Sequence, residues 1–484
     1  MKKIIYISCS LLLAAVTTIS CERDISAVNV NPKLPEVVPS ENLVAASQQY
    51  MAVQWVTPNV NANIIRFFTQ QWTETQYVDE TNYNFPARNQ PQAHYNTMMR
   101  DVIGPLRQAG VFLDAEAEST SYSIADQAKI KANKKATIEL LSIFAWVNLV
   151  DTFGDVPYSE TLRVGGNGTE ILQPKYDDGA AIYADLQTRL NAILGTITTS
   201  LPGYSVDLVY KGNMSKWTKF GNTIKLQMGL TLADAQPAIS KTLVESAYQS
   251  GVILAAADNY NHPFVATQFQ NPVYQNLVAN GRNDFIPSDV YMNFMLSKND
   301  PRVPKYFTPL PNGSFVGGKY GFLNNYTSFS HINPTYTGAT VPGQIFDVLY
   351  VKYMLLEAAA RGYSVGGSAA TWYADAINTS MTGVGVSATD AAAFLVANPY
   401  DATNWKKSVG EAAWIAMHNR GIEAWYFWRR LDYPVLQAPP TAAGLVYRMP
   451  YSLNEYSTNR TNVEAAATKI GGDKYTTKLF WDKF

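Results

Sequence analysis

The sequence predicts a mostly α-helical protein with large, ordered loops. Helical patterns recur along the chain, and stretches rich in Asn, Gly and Tyr separate them. Three of these stretches, 70–97, 258–288 and 308–342, are longer than most connections in compact domains, and loops of that length are usually functional or disordered. Disordered segments are poor in aromatic residues. Because these three stretches are rich in aromatics, we expect them to be ordered.

The beginning of the chain has the three parts of a secretory signal. Two lysines give the positive region, Ile4–Ile19 is mostly apolar, and the small Ser20 precedes Cys21. The apolar stretch is shorter than the roughly 20 residues of a membrane-spanning helix. We therefore expect a signal that is removed. The only other cysteine, Cys9, would leave with it, so the mature chain would have no disulfide partner for Cys21.

Three interpretations of Cys21 remain after this, and one fits best. A disulfide lacks a partner, and a buried structural thiol is disfavoured because residue 21 precedes any segment that looks folded. We expect Cys21 to be the acylation site of a bacterial lipoprotein, although Thr18 stands where leucine is usual. Two or more acyl chains would anchor the protein firmly. The predicted organisation is a signal over 1–20, an extended lead-in over 21–40 and one helical domain over 41–484.

Composition limits the classes of partner. The net charge is −1 and no run of lysines occurs, so the chain has no electrostatic footprint for nucleic acid or for anionic lipid. Charged residues make up 16% of the chain, against about 25% in an average soluble protein. Thirty tyrosines and ten tryptophans supply rings that stack on sugars or peptide planes. The alternative is that most of these rings belong to the core.

Periodicity places the helices in order. Residues 138–150 are apolar all round, which predicts a buried helix that Gly154 and Pro157 end. Further helices are predicted over 178–194, 214–234, 345–361, 369–381 and, as a last pair, 406–428. Helix pairs joined by short turns suit a tetratricopeptide-like stack, but the sequence has no clean 34-residue period.

Motifs for catalysis are weak. The stretch "GYSVG" matches G-x-S-x-G, which needs a strand before the serine. Here a helical pattern precedes it, Gly362 is placed as a C-cap and Ser368 as an N-cap, so we expect a turn between helices. The four histidines are scattered and "GGNG" lacks the P-loop lysine. We expect no metal, no cofactor and no catalytic residue, although a distant pair of carboxylates for glycoside cleavage stays open.

Two aromatic and Asn-rich loops are the best candidates for a binding site. Flat rings offer stacking faces, and amides offer paired donors and acceptors. The alternative is that the rings attach the loops to the helical body. The candidate ligand-binding residues are Trp72, Tyr77, Asn82, Tyr83 and Arg88 in the first loop, and Tyr320, Asn324, Asn325 and Tyr326 in the second.

Segments along nearly the whole chain resemble one family. "NVNPKLP" is similar to its N-P-N-x-P-T lead-in, "LVDTFGDVPYSET" to its fGdvPy turn, "YVKYMLLEAAARGY" to its A-E-A-x-R-G helix, and "GIEAWYFWRRLDYP" to its W-x-x-x-R-R helix. "YRMPYSLNEYSTN" and "KLFWDKF" resemble its last two motifs. The chain thus resembles the SusD/RagB-like surface lipoproteins of Bacteroidetes, most closely the SusD-like group. Gln227 and Phe480 depart from the family's usual Arg and Trp.

The resemblance implies a SusD-like fold, with four tetratricopeptide-like helix pairs, long loop-rich insertions and few short strands. It implies a lipid-anchored protein on the cell surface that captures oligosaccharide, or peptide in the RagB branch, without cleaving it. The ligand would pass to a SusC-like TonB-dependent β-barrel in the outer membrane. Two alternatives stay open: a surface lipoprotein hydrolase of glycans, and a helical adaptor whose loops contact only protein.

Overall fold

Long helices form most of the protein. The structure, a computed structural model, describes residues 38–117, 121–162 and 171–484. Cys21, the signal and most of the lead-in therefore lie outside the described residues. Residues from Ser40 to Phe484 form one compact unit.

The elements follow one another along the chain, and in the described residues every strand is short. The longer helices are α1 (Ser40–Val56), α2 (Gln90–Asn96), α3 (Gly104–Ala115), α4 (Ile124–Phe153), α5 (Gly179–Leu194), α6 (Met214–Thr231), α7 (Pro237–Ser250), α8 (Asp289–Ser297), α9 (Val348–Ala360), α10 (Ala369–Gly383), α11 (Ala388–Ala397), α12 (Trp405–Ala416), α13 (Gly421–Leu431) and α14 (Arg460–Lys469). Single turns of α-helix lie at Ile65–Phe68, Pro272–Tyr274, Val303–Tyr306 and Glu455–Thr458. Turns of 3-10 helix lie at Phe85–Ala87, Ala256–Asp258, Tyr326–Ser328 and Pro334–Tyr336, and π-helical turns at Thr97–Ile103 and Gln275–Ala279. The strands are β1 (Trp72–Glu74), β2 (Val156–Pro157), β3 (Tyr176–Asp177), β4 (Tyr260–His262), β5 (Phe285–Pro287), β6 (Phe307–Thr308), β7 (His331–Ile332) and β8 (Gly343–Phe346).

Helix α4 lies in the core of the protein. Its N-cap is Ser123, whose side chain accepts a hydrogen bond from the Asp126 amide, and Gly154 with φ of 85° follows its last turn. Every residue from Thr137 to Phe153 is buried except Glu139, which confirms the predicted buried helix. Among the described residues, α4 is the one helix long and apolar enough to cross a bilayer, yet 94% of that apolar stretch is buried inside the protein.

Neighbouring helices pack as consecutive pairs. Within the described residues, α4 packs on α5, α6 on α7, α9 on α10, and α12 on α13. Helices α1 and α3 pack together, and α3 also packs on α4. These pairs confirm the expected mostly α-helical architecture with few short strands.

The turn between α9 and α10 contains the "GYSVG" stretch. Gly362 adopts φ of 81°, and the amides of Gly362 and Tyr363 donate to the carbonyls of Ala359 and Ala358 at 3.0 Å. Ser368 then caps α10 by accepting a hydrogen bond from the Thr371 amide at 3.1 Å. The predicted helix-to-helix turn is confirmed, because helix α9 and not a strand comes directly before it.

The predicted start of α9 is wrong by three residues. Ile345 and Phe346 belong to β8, where Phe346 pairs with Tyr260. Asp347 has an extended backbone and its side chain accepts a hydrogen bond from the Tyr350 amide at 2.9 Å, so the helix begins at Val348. In the sequence, the apolar residues of β8 extend the helical pattern of α9, so the predicted helix includes them.

Short strands join the long loops to one another. Strand β1 pairs with β5, β2 with β3, β4 with β8, and β6 with β7, and all four pairs are antiparallel. Strands β1 and β5 come from two of the three long loops predicted from the sequence. Their ladder places Trp72 opposite Pro287 and Glu74 opposite Phe285.

A chain of five charged side chains, two of them buried and three half-buried, connects several helix pairs; we call it the buried charge chain. Glu357 in α9 is fully buried and accepts hydrogen bonds from Arg430 in α13 at 2.8 and 3.0 Å. Arg361 also donates to Glu357, at 3.1 Å, and reaches Asp234 beyond the end of α6 at 2.6 Å. Lys406 in α12 lies 3.5 Å from Asp234. This buried charge chain crosses the helical body.

Candidate functional site

The two loops predicted as a binding site contact each other. The side-chain amide of Asn324 donates to the Glu74 carbonyl at 2.9 Å, and its backbone amide donates to the Thr75 carbonyl at 3.2 Å. The side-chain amide of Asn82 donates to the Gly321 carbonyl at 2.9 Å. Two segments about 240 residues apart in sequence therefore form one continuous surface.

Three of the predicted rings lie inside that surface. Trp72 is fully buried, with the Arg66 guanidinium 5.0 Å from its ring and Phe285 on one face. Tyr83 and Tyr320 are also buried, and the Tyr320 hydroxyl donates to the Phe67 carbonyl at 2.6 Å. Because all three side chains are almost fully buried, we assign the three rings to support of the loops and not to ligand contact.

Two of the predicted asparagine side chains already form hydrogen bonds with other parts of the protein. Asn82 donates to the carbonyls of Val78 and Gly321, and its oxygen accepts from the Thr441 amide at 3.2 Å. Asn324 accepts from the Lys319 amide at 2.8 Å while its nitrogen donates to several backbone carbonyls. Both amides therefore fix the loop backbones.

The remaining predicted residues face outward. Tyr77 is 53% exposed and the Arg88 guanidinium lies 5.8 Å from its ring. Asn325 is exposed and caps the 3-10 turn Tyr326–Ser328 by accepting from the Thr327 amide at 3.1 Å. Tyr326 is half-buried and stacks on His331 with 3.9 Å between ring centres. These residues retain surface that a ligand could touch.

Tyr77 and Arg88 lie on one polar cleft of about 410 Å³. We call it the amide cleft, because four asparagines line it. The residues that line it are Asn59, Val60, Asn61, Tyr77, Arg88, Asn276, Asn280, Arg282, Asp284 and Phe285. The structure does not bring Asn325 or Tyr326 to its wall.

Hydrogen bonds hold the charged groups of the amide cleft in place. The Nε of Arg88 donates to the buried Glu80 carboxylate, and its Nη1 donates to the Asn61 side chain at 3.3 Å. The Nε of Arg282 donates to the Asp284 carboxylate at 2.5 Å. Arg282 is thus attached through one nitrogen and Arg88 through two, while their remaining nitrogens stay available.

Phe285 brings the β1–β5 ladder to the wall of the amide cleft. Phe285 in β5 packs on Trp72 and on Phe67, with ring centres 6.0 and 5.6 Å away. Thr75 follows β1, and its amide and hydroxyl donate to the carbonyls of Asp284 and Asn283 at 2.9 and 2.6 Å. Trp72 therefore supports the cleft from beneath.

One wall of the amide cleft comes from a π-helical turn, Gln275–Ala279. Such turns are rare and occur frequently at functional sites. Asn276 lies in this turn and Asn280 directly follows it, and Gly281 with φ of 59° then reverses the chain toward Arg282. The turn places two amides on the same cleft as the first loop.

A pair of acidic side chains lies beneath the first loop. Glu74 accepts hydrogen bonds from the amide and hydroxyl of Thr81, both at 3.0 Å. Burial, together with the adjacent Glu80 carboxylate, raises the pKa of Glu74 to about 9. One oxygen of Glu80 is buried without a protein donor unless Glu74 carries its proton. The proton on Glu74 therefore forms a hydrogen bond between the two carboxyl groups.

Several cleft residues were not predicted individually. Asn59, Asn61, Asn276, Asn280, Arg282 and Asp284 line the cleft with Tyr77 and Arg88. Four of them belong to the predicted long loop 258–288, and its "ANGRND" stretch was the available signal. Asn59 and Asn61 follow α1 in a short turn with no aromatic residue, so composition gave no indication of them.

The histidines and a larger cavity do not contribute to the amide cleft. Within the described ranges, no group of three or more His, Cys, Asp or Glu side chains could hold a metal ion. His94, His262 and His418 are buried, and burial lowers their pKa values to about 4, 4 and 3. A larger cavity, of about 470 Å³, lies between α8, α10, α11 and α12, and no predicted site residue lines it.

Comparison with known proteins places this fold among carbohydrate-associated proteins. The family described as SusD-like, "Starch-binding associating with outer membrane", matches residues 32–453. No curated protein matches the chain by sequence.

Solved structures match over nearly the whole chain. A chitin-binding protein has a TM-score of 0.76 and 22% identity, covering 92% of this chain and all of its own. A SusD-like protein from Bacteroides thetaiotaomicron has a TM-score of 0.75 and 21% identity, covering 92% of this chain and 99% of its own. A chitin-binding SusD homologue from Flavobacterium johnsoniae has a TM-score of 0.74 and 20% identity, covering 92% and 98%.

Proposed function

The chain belongs to the SusD-like family described as "Starch-binding associating with outer membrane", and on that premise we propose that it captures oligosaccharides at the cell surface. In this proposal the protein binds its ligand without cleaving it and passes it to a SusC-like TonB-dependent transporter. A peptide is the second candidate ligand, because backbone amides could use the same polar groups. The domain organisation is proposed as a signal over 1–20, a lead-in over 21–40 and one domain over 41–484.

The observation that carries the proposal is the chemistry of the amide cleft. Sugar hydroxyls both donate and accept hydrogen bonds, and asparagine side chains do the same. Four asparagines line the cleft; the side-chain oxygens of Asn59 and Asn61 already accept from Asn61 and Arg88, and those of Asn276 and Asn280 add further acceptors. Tyr77 adds a partly exposed ring beside them, and rings of this kind stack on the apolar faces of sugars. The cleft is therefore suited to a polyhydroxylated ligand.

Similar structures support a carbohydrate ligand but do not identify it. Two of them are described as chitin-binding. At sequence identities of 22% and 20%, these proteins share the fold with this chain, and their ligand contacts do not transfer to it. For this chain the ligand class rests on the cleft and on the family description.

We propose that the protein is anchored through acylated Cys21. The signal-like residues 1–20, the lone mature cysteine and the acidic Glu22 and Asp24 after it support a surface lipoprotein. Cys21→Ala should release the protein from the outer membrane in cells that lack the barrel partner. Membrane fractionation measures this, and retention of the variant would contradict the anchor.

The hydrolase alternative lacks an accessible pair of acids at the cleft. Glu74 and Glu80 are close together but buried, with side chains engaged by Thr81 and Arg88. Asp284 is the acidic residue on the cleft wall, and it is paired with Arg282. Glycoside cleavage uses two carboxyl groups that flank the scissile bond. Binding fits this arrangement better than hydrolysis.

Binding to purified protein tests the proposal. We expect at least one neutral or acidic oligosaccharide to raise the melting temperature, because a ligand of the native state must do so. Tyr77→Ala should weaken that binding by about 1–3 kcal/mol, measured by isothermal titration calorimetry. Tyr122→Ala is the matched control, since Tyr122 is 43% exposed and does not line the cleft.

The possible outcomes separate the candidate functions. New reducing ends after incubation with oligosaccharide would favour the hydrolase. Binding of peptides alone would favour the peptide ligand, and the absence of a shift with any oligomer would favour the protein-only adaptor. Equal binding by the Tyr77→Ala and Tyr122→Ala variants would move the site away from the amide cleft.

A further inference from the structure

We propose that the amide cleft selects oligosaccharides that carry carboxylate groups, such as uronic acid units, and that Arg282 binds the carboxylate. This inference rests on the proposed function, because it names the ligand class of the same cleft. It depends on the unused nitrogens of two arginines, on the charge of the cleft wall and on the arrangement of the amides around them.

Arg282 presents most of its guanidinium to the cleft. Its Nε donates to Asp284 at 2.5 Å, and within the described part of the chain its two Nη atoms have no protein partner. The side chain is 46% exposed. Because one nitrogen is fixed by Asp284, the group is oriented before a ligand arrives, and its Nη atoms remain free to donate.

Arg88 is also oriented by protein contacts on the same cleft, with one nitrogen left free. Its Nε donates to Glu80, its Nη1 donates to Asn61, and its Nη2 has no partner among the described residues. The Tyr77 ring lies 5.8 Å from its guanidinium carbon. A second oriented guanidinium therefore shares the cleft with Arg282.

Among the charged groups on the cleft wall, cations outnumber anions, and each guanidinium is paired with a carboxylate. The wall contains two guanidinium groups and one carboxylate, that of Asp284. The partner of Arg88 is Glu80, which is fully buried and does not line the cleft. A ligand therefore contacts two cations and one anion, although the net charge of the whole chain is −1.

Carboxylate is the anion that this geometry favours. Guanidinium groups form paired, charge-assisted hydrogen bonds with planar carboxylates, and these are about twice as strong as neutral ones. A neutral sugar would leave the unused Nη atoms paired only with hydroxyls or water. The hydroxyls of the same sugar units then form hydrogen bonds with the asparagines at positions 59, 61, 276 and 280.

Titration calorimetry with matched oligomers tests the inference. The probes are tetramers of galacturonic acid and of mannuronic acid, each compared with its carboxyl-reduced neutral counterpart. We expect an acidic tetramer to bind at least tenfold more tightly than its neutral counterpart at low salt, with the difference reduced at high salt because ions screen exposed charges. Arg282→Gln should remove about tenfold of the acidic affinity and lower the neutral affinity much less.

Two further variants distinguish a loss of binding from a loss of folding. Arg88→Gln should weaken the acidic tetramer in the same direction, and circular dichroism checks that each variant is folded. Arg100→Gln is the matched control, because Arg100 is 71% exposed, is paired with the adjacent Asp101 and does not line the cleft. Its affinity for both tetramers should equal that of the unmodified protein.

The outcomes distinguish this inference from the proposed function. Equal or tighter binding of the neutral tetramers, with loss on Tyr77→Ala, would overturn the carboxylate preference and leave carbohydrate capture intact. Equal affinity of the Arg282→Gln and Arg100→Gln variants for the acidic tetramers would also overturn it. Binding of an acidic peptide with no binding of any oligosaccharide would overturn both.

Discussion

Glu74 is a single residue through which pH acts on the loop that carries Tyr77. Its pKa in the folded protein is about 9 because it is buried beside Glu80, whereas glutamate in an unfolded chain titrates near pH 4.3. The folded protein therefore keeps this proton after the unfolded chain has lost it. The contribution of Glu74 to stability is fully present below about pH 4 and is lost as pH rises toward 9.

Replacing Glu74 with Gln should remove this pH dependence. Glutamine keeps an acceptor for Thr81 and always carries a donor for Glu80, as protonated Glu74 does. We expect Glu74→Gln to raise the free energy of unfolding at pH 8 by about 1–3 kcal/mol and to change it much less at pH 5. Calorimetric unfolding at both pH values measures the difference.

An exposed glutamate provides the control for this experiment. Glu464 is 52% exposed and pairs with Arg460 on α14. Glu464→Gln should leave the pH dependence of the unmodified protein unchanged. If Glu74→Gln also kept that dependence, the raised pKa of Glu74 would be contradicted.

Trp72 and Tyr77 show what the sequence can predict about single residues of the site. Both are aromatic residues of one polar loop, and the sequence makes them equal candidates for ligand contact. The structure separates them, because Trp72 belongs to β1 and lies beneath Phe285, while Tyr77 lies beyond the end of that strand. The difference depends on pairing with β5, more than 200 residues away, which no local pattern contains.

At the scale of elements, the turn between α9 and α10 ends one helix and begins the next. Gly362 adopts φ of 81°, where a residue with a side chain is strained. A Cβ at this position would meet no atom within 4 Å, so backbone strain alone would oppose a side chain. The pair α9 and α10 therefore depends on glycine here for conformation and not for space.

A comparison of two glycines tests this explanation. Gly362→Ala should lower the free energy of unfolding by about 1–2 kcal/mol, measured by urea denaturation. Gly383 lies in the last turn of α10, also has open space around it and lacks the positive φ. Gly383→Ala should be neutral or stabilising, because alanine is the better helix former. Equal destabilisation by both changes would contradict the conformational explanation.

Helices were easier to predict than the elements that form the cleft. Caps and apolar periodicity indicated α5, α6, α9, α10 and the last pair, with errors of a few residues at their ends. Strands of two to four residues carry almost no periodicity, and each pairs with a distant partner. The π-helical turn at Gln275–Ala279 likewise has no distinct sequence pattern. The cleft is built from these elements, so its loops were predictable and its geometry was not.

At the scale of the whole molecule, the buried charge chain links α6, α9, α12 and α13. Glu357 compensates Arg430 and Arg361 at once, and its side chain is fully buried. Removing one partner of a buried ion pair leaves an uncompensated charge, which costs about 3–5 kcal/mol. The stability of several helix pairs therefore depends on one carboxylate.

Glu357→Gln should consequently destabilise the whole protein. We expect the free energy of unfolding to fall by about 3–5 kcal/mol, with one cooperative transition in chemical denaturation. Glu464→Gln breaks an exposed pair on α14 and should change it by less than about 1 kcal/mol. A similar small effect of both substitutions would mean that the buried charge chain does not connect the helix pairs.

The contacts that join the two loops make ligand binding a test of correct folding. The hydrogen bond from Asn324 to Glu74 spans 250 residues, and the bond from Asn82 to Gly321 spans 239. Contacts this distant form late, because the entropy of closing the intervening chain must be overcome first. An incompletely folded molecule would have all the residues of the amide cleft and still lack the cleft. Retention on immobilised ligand would therefore separate mature molecules from immature ones.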